Sequence, residues 1–259
     1  MPETVTSASR AAVDPRLADV RRMAVVPALN EQRTLQRVIE EIRAFDAACE
    51  IVVVDDGSTD RTAGVAVAAG AYLVRLPFNL GIGGAVQTGY RFALERGSDV
   101  VVQVDGDGQH VPDELPKLLG PLLEGKADLV IGSRFAVTSG YRAPLSRRLG
   151  MRWFAALVSL IVGQPLTDTS SSFRAVNRRG LRLFCADYPH GFLETVEATV
   201  LAAKYGLRIV EVPVVMRERE HGRSSLTIPL SLYYSLKVVV ALFVGLFRRP
   251  IVHLEEEEE

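Results

Sequence analysis

Several things are scarce in this sequence, and each scarcity removes a class of explanation. Of its 259 residues only two are cysteines, Cys49 and Cys185, far apart and in no CxxC pair. That excludes a disulfide scaffold and a cysteine-ligated metal cluster, and it suits a reducing compartment. No excess charge is present: 30 basic against 31 acidic residues leave a formal net charge of −1, so there is no whole-protein attraction to nucleic acid. The N-terminal stretch, residues 1–20, has no apolar core, so no secretory leader is expected there. No repeat period is visible, and no uninterrupted apolar run reaches the roughly 20 residues that a membrane span requires. Trp153–Gly163 is too short. The stretch Ile228–Phe247 is diluted by Lys237, Ser231, Tyr233, Tyr234 and Ser235.

Apolar residues are plentiful, at 48%, enough for a sizeable core. From Met23 to Arg134 short β-branched runs (MAVVPA, IVVVDD, AYLVRL, DVVVQVD, DLVIGS) alternate with helix-like stretches such as EQRTLQRVIEEIRAF and GAVQTGYRFALERG. Near-continuous apolar strands separated by helices predict a parallel sheet covered on both faces. Ligands bind at the carboxyl ends of the strands in such sheets. The polar clusters fall there: Asn30-Glu31, Asp55-Asp56-Gly57-Ser58, Asp105-Gly106-Asp107 and Ser133-Arg134 each follow a strand directly. Beyond Arg134 come a basic stretch (Arg142, Arg147, Arg148, Arg152), the apolar run from Trp153, the polar TDTSSSFRAVNRR, a helix-like GFLETVEATVLAAKYG and a strand-like LRIVEVPVV.

The sharpest motif is Asp105-Gly106-Asp107. In extended chain, residues i and i+2 point the same way, so two carboxylates converge. Their repulsion is relieved by a cation or by a proton. Mg²⁺ suits the pair, because it takes one or two carboxylates and fills its shell with water and phosphates. Gln109 and His110 follow at once; His110 in this position is more often a plain loop histidine. Asp55 and Asp56 can accept hydrogen bonds from a ribose or a base, while Ser58 or Thr59 is expected to cap the next helix. Asn79-Leu80-Gly81-Ile82-Gly83-Gly84 resembles a dinucleotide fingerprint. It follows the third strand rather than the first, which speaks against a dehydrogenase.

Taken in order, VVPALNE, VVDDGSTD, NLGIGGAVQTGY, DGDGQH, GSRF, TDTSSSFRAVNR and EVPVVMREREHGRSS resemble the family 2 glycosyltransferases, most of all the branch of dolichol- and polyprenol-phosphate mannose synthases. The resemblance runs from about Met23 to Ser225. It implies a GT-A fold of the α/β class, with a mostly parallel central sheet and helices on both faces, and an inverting hexosyl transfer from a GDP- or UDP-linked sugar. By analogy Pro27, Leu29 and Glu31 line the nucleotide pocket with Asp55 and Asp56. Asp105, with Gly106 beside it, Asp107 and Gln109 hold Mg²⁺ or Mn²⁺ against the donor diphosphate. Arg134 and Arg219 match phosphate-handling positions, and Asp168 matches an acid close to the reaction centre. Two departures stand out. Ser172 occupies a position that is usually Gly, and Ser225 one that is often Lys.

A lipid phosphate acceptor is already ionised and needs mainly positioning. A sugar hydroxyl would need a base, for which Asp168 and Glu194 are the candidates. The basic cluster suits the anionic acceptor, a polyprenyl phosphate to which mannose or glucose would be transferred. Residues 153–163 and 227–250 are expected to lie on the membrane surface, with Tyr233, Tyr234, Arg248 and Arg249 at headgroup level. The expected organisation is a mobile arm (1–20), a catalytic domain (21–226), an amphipathic segment (227–250) and a solvated acidic tail (251–259). The protein would then sit peripherally on the cytoplasmic face of the cell membrane. Two rivals predict different chemistry. A sugar-phosphate nucleotidylyltransferase would want a basic Gly-rich loop after the first strand, where Pro27-Ala28-Leu29-Asn30-Glu31 is acidic. A non-catalytic nucleotide-sugar or lipid-binding module would not hydrolyse a donor.

Overall fold

A computed structural model describes residues 14–135, 145–190 and 194–217, with backbone alone for 145–152. Arg219, Arg142 and the whole segment 227–250 lie outside the described residues, as do the side chains of Arg147, Arg148 and Arg152.

Among the described residues seven strands form one sheet: β1 (Arg22–Ala28), β2 (Glu50–Asp55), β3 (Tyr72–Arg75), β4 (Val100–Gln103), β5 (Leu129–Ser133), β6 (Arg174–Asn177) and β7 (Ile209–Pro213). Their order is β3-β2-β1-β4-β6-β5-β7. All neighbours are parallel except β6, which is antiparallel to both β4 and β5. Each of the five β-branched runs between Met23 and Arg134 forms a strand, as does LRIVEVPVV. β6 was not foreseen, because RAVN is only four residues long and begins with an arginine.

Helices cover both faces: α1 (Leu35–Phe45), α2 (Thr62–Ala68), α3 (Ile82–Glu95), α4 (Leu115–Leu123), α5 (Leu145–Val162), α6 (Arg178–Ala186) and α7 (Glu194–Lys204). The period-two alternation of the strands divides the core into two layers. Met23, Val25, Val52, Val54 and Val101 face one layer with Tyr90, Phe184 and Val196. Ala24, Val26, Ile51, Val53, Val100 and Val102 face the other with Leu35, Val38, Ile39 and Ile42 of α1. The i, i+3, i+4, i+7 spacing of those four α1 residues is what turns one stripe of the helix inward.

The expected caps of α2 are corrected. Neither Ser58 nor Thr59 caps it; Asp60 Oδ1 accepts the Thr62 N–H at 2.9 Å, and Ser58 Oγ instead accepts from Asn30 N at 2.9 Å. The Gly-rich turn before α3 is also a packing device. A methyl at Gly83 would collide with the carbonyl oxygen of Pro189, and one at Gly84 would lie 2.7 Å from Leu80 Cβ.

The antiparallel strand decides where the site lies. In the parallel strands, the loops that follow them share one rim. β6 runs the other way, with Arg174 opposite both Gln103 and Ile131. Its beginning therefore lies on that same rim, and the segment Asp168–Phe173 is delivered beside Asp105 and Arg134.

Candidate functional site

The rim is assembled from side chain-to-loop ties. Asn30, the one described non-glycine residue with positive φ (58°), holds Thr59: its Oδ1 accepts from Thr59 N at 2.9 Å. Thr62 Oγ1 accepts from Glu31 N, also at 2.9 Å. The first two βα loops are thus clasped together. Thr34 then donates to the Gly106 carbonyl at 2.7 Å and to Glu31 Oε2 at 3.1 Å. Gly106 rests on the first loop, where a Cβ would lie 3.2 Å from Pro27 O and 3.6 Å from Glu31 Cγ. Pro27, Glu31 and the Asp105–Asp107 turn are one cluster, with Leu29 exposed at its edge.

Asp55 and Asp56 do different things. Asp56 is buried and takes two backbone donors, Leu80 N at 2.7 Å and Gly81 N at 3.0 Å. It organises the turn before α3, a task that adjacency to Asp55 did not reveal. Asp55 accepts Ser58 N with Oδ1, and its Oδ2 lies 3.4 Å from Arg75 Nε. Its partners Ser58 and Arg75 line a pocket of about 390 Å³ together with Gly57, Leu76 and Pro77.

Asp105 lies at the end of β4, its carboxylate partly exposed. Ser172 Oγ donates to its Oδ2 at 2.5 Å. Oδ1 is shielded from solvent and has no hydrogen-bond partner among the described residues. A shielded carboxylate oxygen without a donor is costly, and a hard cation is the natural remedy. Asp107 is buried and accepts Gln109 N at 3.0 Å. The Gln109 amide donates to Arg217 O at 3.4 Å, leaving its carbonyl oxygen available. Among the described residues no set of three or more His, Cys, Asp and Glu converges as a metal cage. Two carboxylates and an amide form an open set of oxygen donors. It fits Mg²⁺ or Mn²⁺, whose shell would be completed by water and phosphate.

His110 is not a plain loop histidine. It is buried, stacks on Phe173 with ring centroids 4.4 Å apart, and accepts the Asp105 backbone N–H on Nδ1 at 3.0 Å. Burial lowers its pKa. Beside it runs the strand extension after β7: His110 bridges Met216, and Arg217 N donates to Gln109 O at 2.8 Å. The stretch leading toward Arg219 thus passes along the Asp105–Asp107 turn.

Asp168 and Arg134 form a two-point ion pair, Nε to Oδ2 at 2.7 Å and Nη2 to Oδ1 at 2.9 Å. Arg134 N also donates to Oδ2 at 3.1 Å, and Ser170 Oγ to Oδ1 at 3.1 Å. With both oxygens engaged, Asp168 is arranged to orient a guanidinium. Glu194, at the start of α7, is buried, and that burial pushes its carboxyl up to about 7.

Arg174 escaped the sequence reading. Its side chain is fully buried and donates to Ser171 O at 2.7 Å and Thr169 O at 3.0 Å, bracing the loop that carries Asp168 and Ser172. Burial depresses its pKa. Its Nη1, the Gln103 amide and the Tyr188 hydroxyl are shielded without partners among the described residues, and they are the groups that ordered water would satisfy. The available signal was an arginine in phase with the apolar face of a short strand.

Residues 23–184 match the Glycosyl transferase family 2 profile. The undecaprenyl-phosphate mannosyltransferase of Micrococcus luteus is 35% identical over 218 residues, covering 80% of this chain and 88% of that protein. The polyprenol monophosphomannose synthase of Mycolicibacterium smegmatis is 31% identical, covering 80% of this chain and 81% of its own length. Among solved structures, glucosyl-3-phosphoglycerate synthase from Mycobacterium tuberculosis, in complex with Mn²⁺, UDP and glucosyl-3-phosphoglycerate, aligns with a TM-score of 0.63 at 25% identity, covering 91% of this chain and 83% of that one. The chain has the GT-A fold and belongs to glycosyl transferase family 2; it is a glycosyltransferase.

Proposed function

We propose that this glycosyltransferase moves a hexose, mannose or glucose, from a GDP- or UDP-linked donor to a polyprenyl phosphate, with inversion and with Mg²⁺ or Mn²⁺ at Asp105 and Asp107. The observation that carries the reading is the convergence, on one rim, of the Asp105–Asp107 pair, the oriented Arg134 guanidinium and the pocket beside Asp55. The pocket would take the nucleoside, with Pro27, Leu29 and Glu31 at its side. Asp105, Asp107 and Gln109 would hold the cation, which when bound neutralises the leaving diphosphate as a Lewis acid. Arg134, fixed by Asp168, would meet phosphate charge in a partly dry site, and Arg219 would add to it.

The acceptor phosphate oxygen attacks the anomeric carbon on the face opposite the diphosphate. One C–O bond forms as the other breaks, so the configuration inverts. An ionised phosphate has no proton to lose, so Asp168 can remain paired with Arg134 throughout. The relatives named for undecaprenyl phosphate and polyprenol support this acceptor. Helix α5 is suited to a membrane surface: Val158 and Ala155 are buried while Trp153 and Leu160 are 57% and 81% exposed. No helix among the described residues is long and apolar enough to cross a membrane.

The test is nucleoside diphosphate release from a panel of nucleotide sugars, with and without Mn²⁺ and polyprenyl phosphate. Lipid- and metal-dependent release from one donor is expected. In Asp107→Ala, turnover should fall at least about 100-fold, the scale on which a single electrostatic contact to the transition state acts, with the melting temperature retained. Release without lipid would move the acceptor to a saccharide. Pyrophosphate as the product would replace the reaction class.

A further inference from the structure

Ser172 enters the site from the loop ahead of β6 and makes a contact that neither the Asp105–Asp107 motif nor the Arg134–Asp168 pair requires. Its hydroxyl lies 2.5 Å from Asp105 Oδ2 and 3.5 Å from His110 Nε2. The three groups form a chain with a defined direction. The His110 ring is wedged flat against Phe173, and its Nδ1 accepts the Asp105 N–H, so in the neutral ring the proton sits on Nε2. Nε2–H therefore faces the lone pairs of Ser172 Oγ. The single hydroxyl proton is left to point at Asp105. Arg174 fixes the backbone on which Ser172 rides by holding Thr169 O and Ser171 O.

One oxygen of Asp105 is thereby committed, and the other, Oδ1, has no partner among the described residues. We infer that Ser172 is a positioning residue for the metal centre: its hydroxyl, directed by His110, fixes the rotation of the Asp105 carboxylate so that Oδ1 is the oxygen offered to the cation. This rests on the metal role proposed for Asp105. A ligand carboxylate that is itself hydrogen-bonded is oriented before the metal arrives, and loss of such an outer partner weakens metal affinity by about 10–100-fold.

The test is water-proton relaxation enhancement of Mn²⁺ by the full-length protein, alone and with UDP or GDP, on wild type, Ser172→Ala and Ser172→Thr. Bound and free Mn²⁺ are distinguished directly, without turnover. Expected is a fall in Mn²⁺ affinity of about 10–100-fold in the Ala variant, recovery in the Thr variant, which keeps a hydroxyl, and unchanged metal-free nucleotide affinity. Equal Mn²⁺ affinity in wild type and Ser172→Ala would overturn the inference and leave the metal site standing. Equal loss in both variants would also overturn it, since it would mark a packing effect. No Mn²⁺ bound by wild type under any of the three conditions would remove the metal site itself, and this inference with it.

Discussion

At the scale of single residues, the site is a set of acids whose environments assign them different work. Asp56 holds a turn, Asp55 ties Ser58 and Arg75, Asp105 is half engaged and Asp168 is fully engaged. Position in the sequence located all four at strand ends or in the DTSSSFR stretch. It did not distinguish them, because hydrogen-bond partners come from other loops. The Asp168–Arg134 pair makes this testable. The Asp168 side chain is inaccessible and that of Arg134 is 20% exposed. Removing one member takes away the counter-charge of the other, at a cost of about 3 kcal/mol. Asp168→Ala is expected to lose that amount in urea denaturation, and Arg134→Ala added to it should lose far less than a second such increment. Simple additivity would mean the two side chains act independently.

Secondary-structure elements were the most legible level. β-branched runs mark six of the seven strands, and the apolar spacing of α1 marks its buried face. β6 and α6 were hidden, since RAVNRRGLRLF begins polar and its pairing is non-local. Glycine shows how packing decides what propensity leaves open. Gly89 in α3 approaches β1 so closely that an added methyl would overlap Val25 Cγ1, whereas Gly64 in α2 has open space at the same position. Helix propensity favours Ala at both sites by about 1 kcal/mol. Overpacking at Gly89 opposes it with about 1–3 kcal/mol. Gly64→Ala should therefore stabilise the protein slightly and Gly89→Ala should destabilise it by up to about 2 kcal/mol, net of these two effects. Equal shifts in denaturation midpoint would refute the packing argument.

For the molecule as a whole, buried charge sets a pH dependence. Glu194 titrates near 7 when folded, against an ordinary value of 4.5. Between those pH values the folded state keeps a proton that the unfolded chain has released. The Glu194 contribution to stability therefore falls as pH rises from 4.5 to 7, by about 3 kcal/mol for a shift of this size, while buried His110, whose pKa is lowered, contributes in the opposite direction. Asp128 acts at the other end of the scale. Despite opposing burial, Arg208 and its neighbours hold the carboxyl at about 2, so its contribution is present above 3.8 and lost as pH falls toward 2. In Glu194→Gln the melting temperature at pH 7 is expected to rise relative to that at pH 4.5, compared with wild type, while the acid limb is unchanged. An unaltered profile would show that Glu194 is not the group responsible.

The reversed strand has a consequence for how this protein is made. β4 and β5 are consecutive strands in sequence yet do not pair, because β6 lies between them. While the chain emerges from the ribosome, everything up to Ser133 can be present and β4 still lacks its second neighbour. Such a nascent sheet carries an open edge of the kind that invites pairing between chains. The residue that closes the gap, Arg174, also braces the loop bearing Asp168 and Ser172. Closure of the gap between β4 and β5 and bracing of that loop are therefore one event in synthesis, and a nascent chain halted short of β6 would have neither.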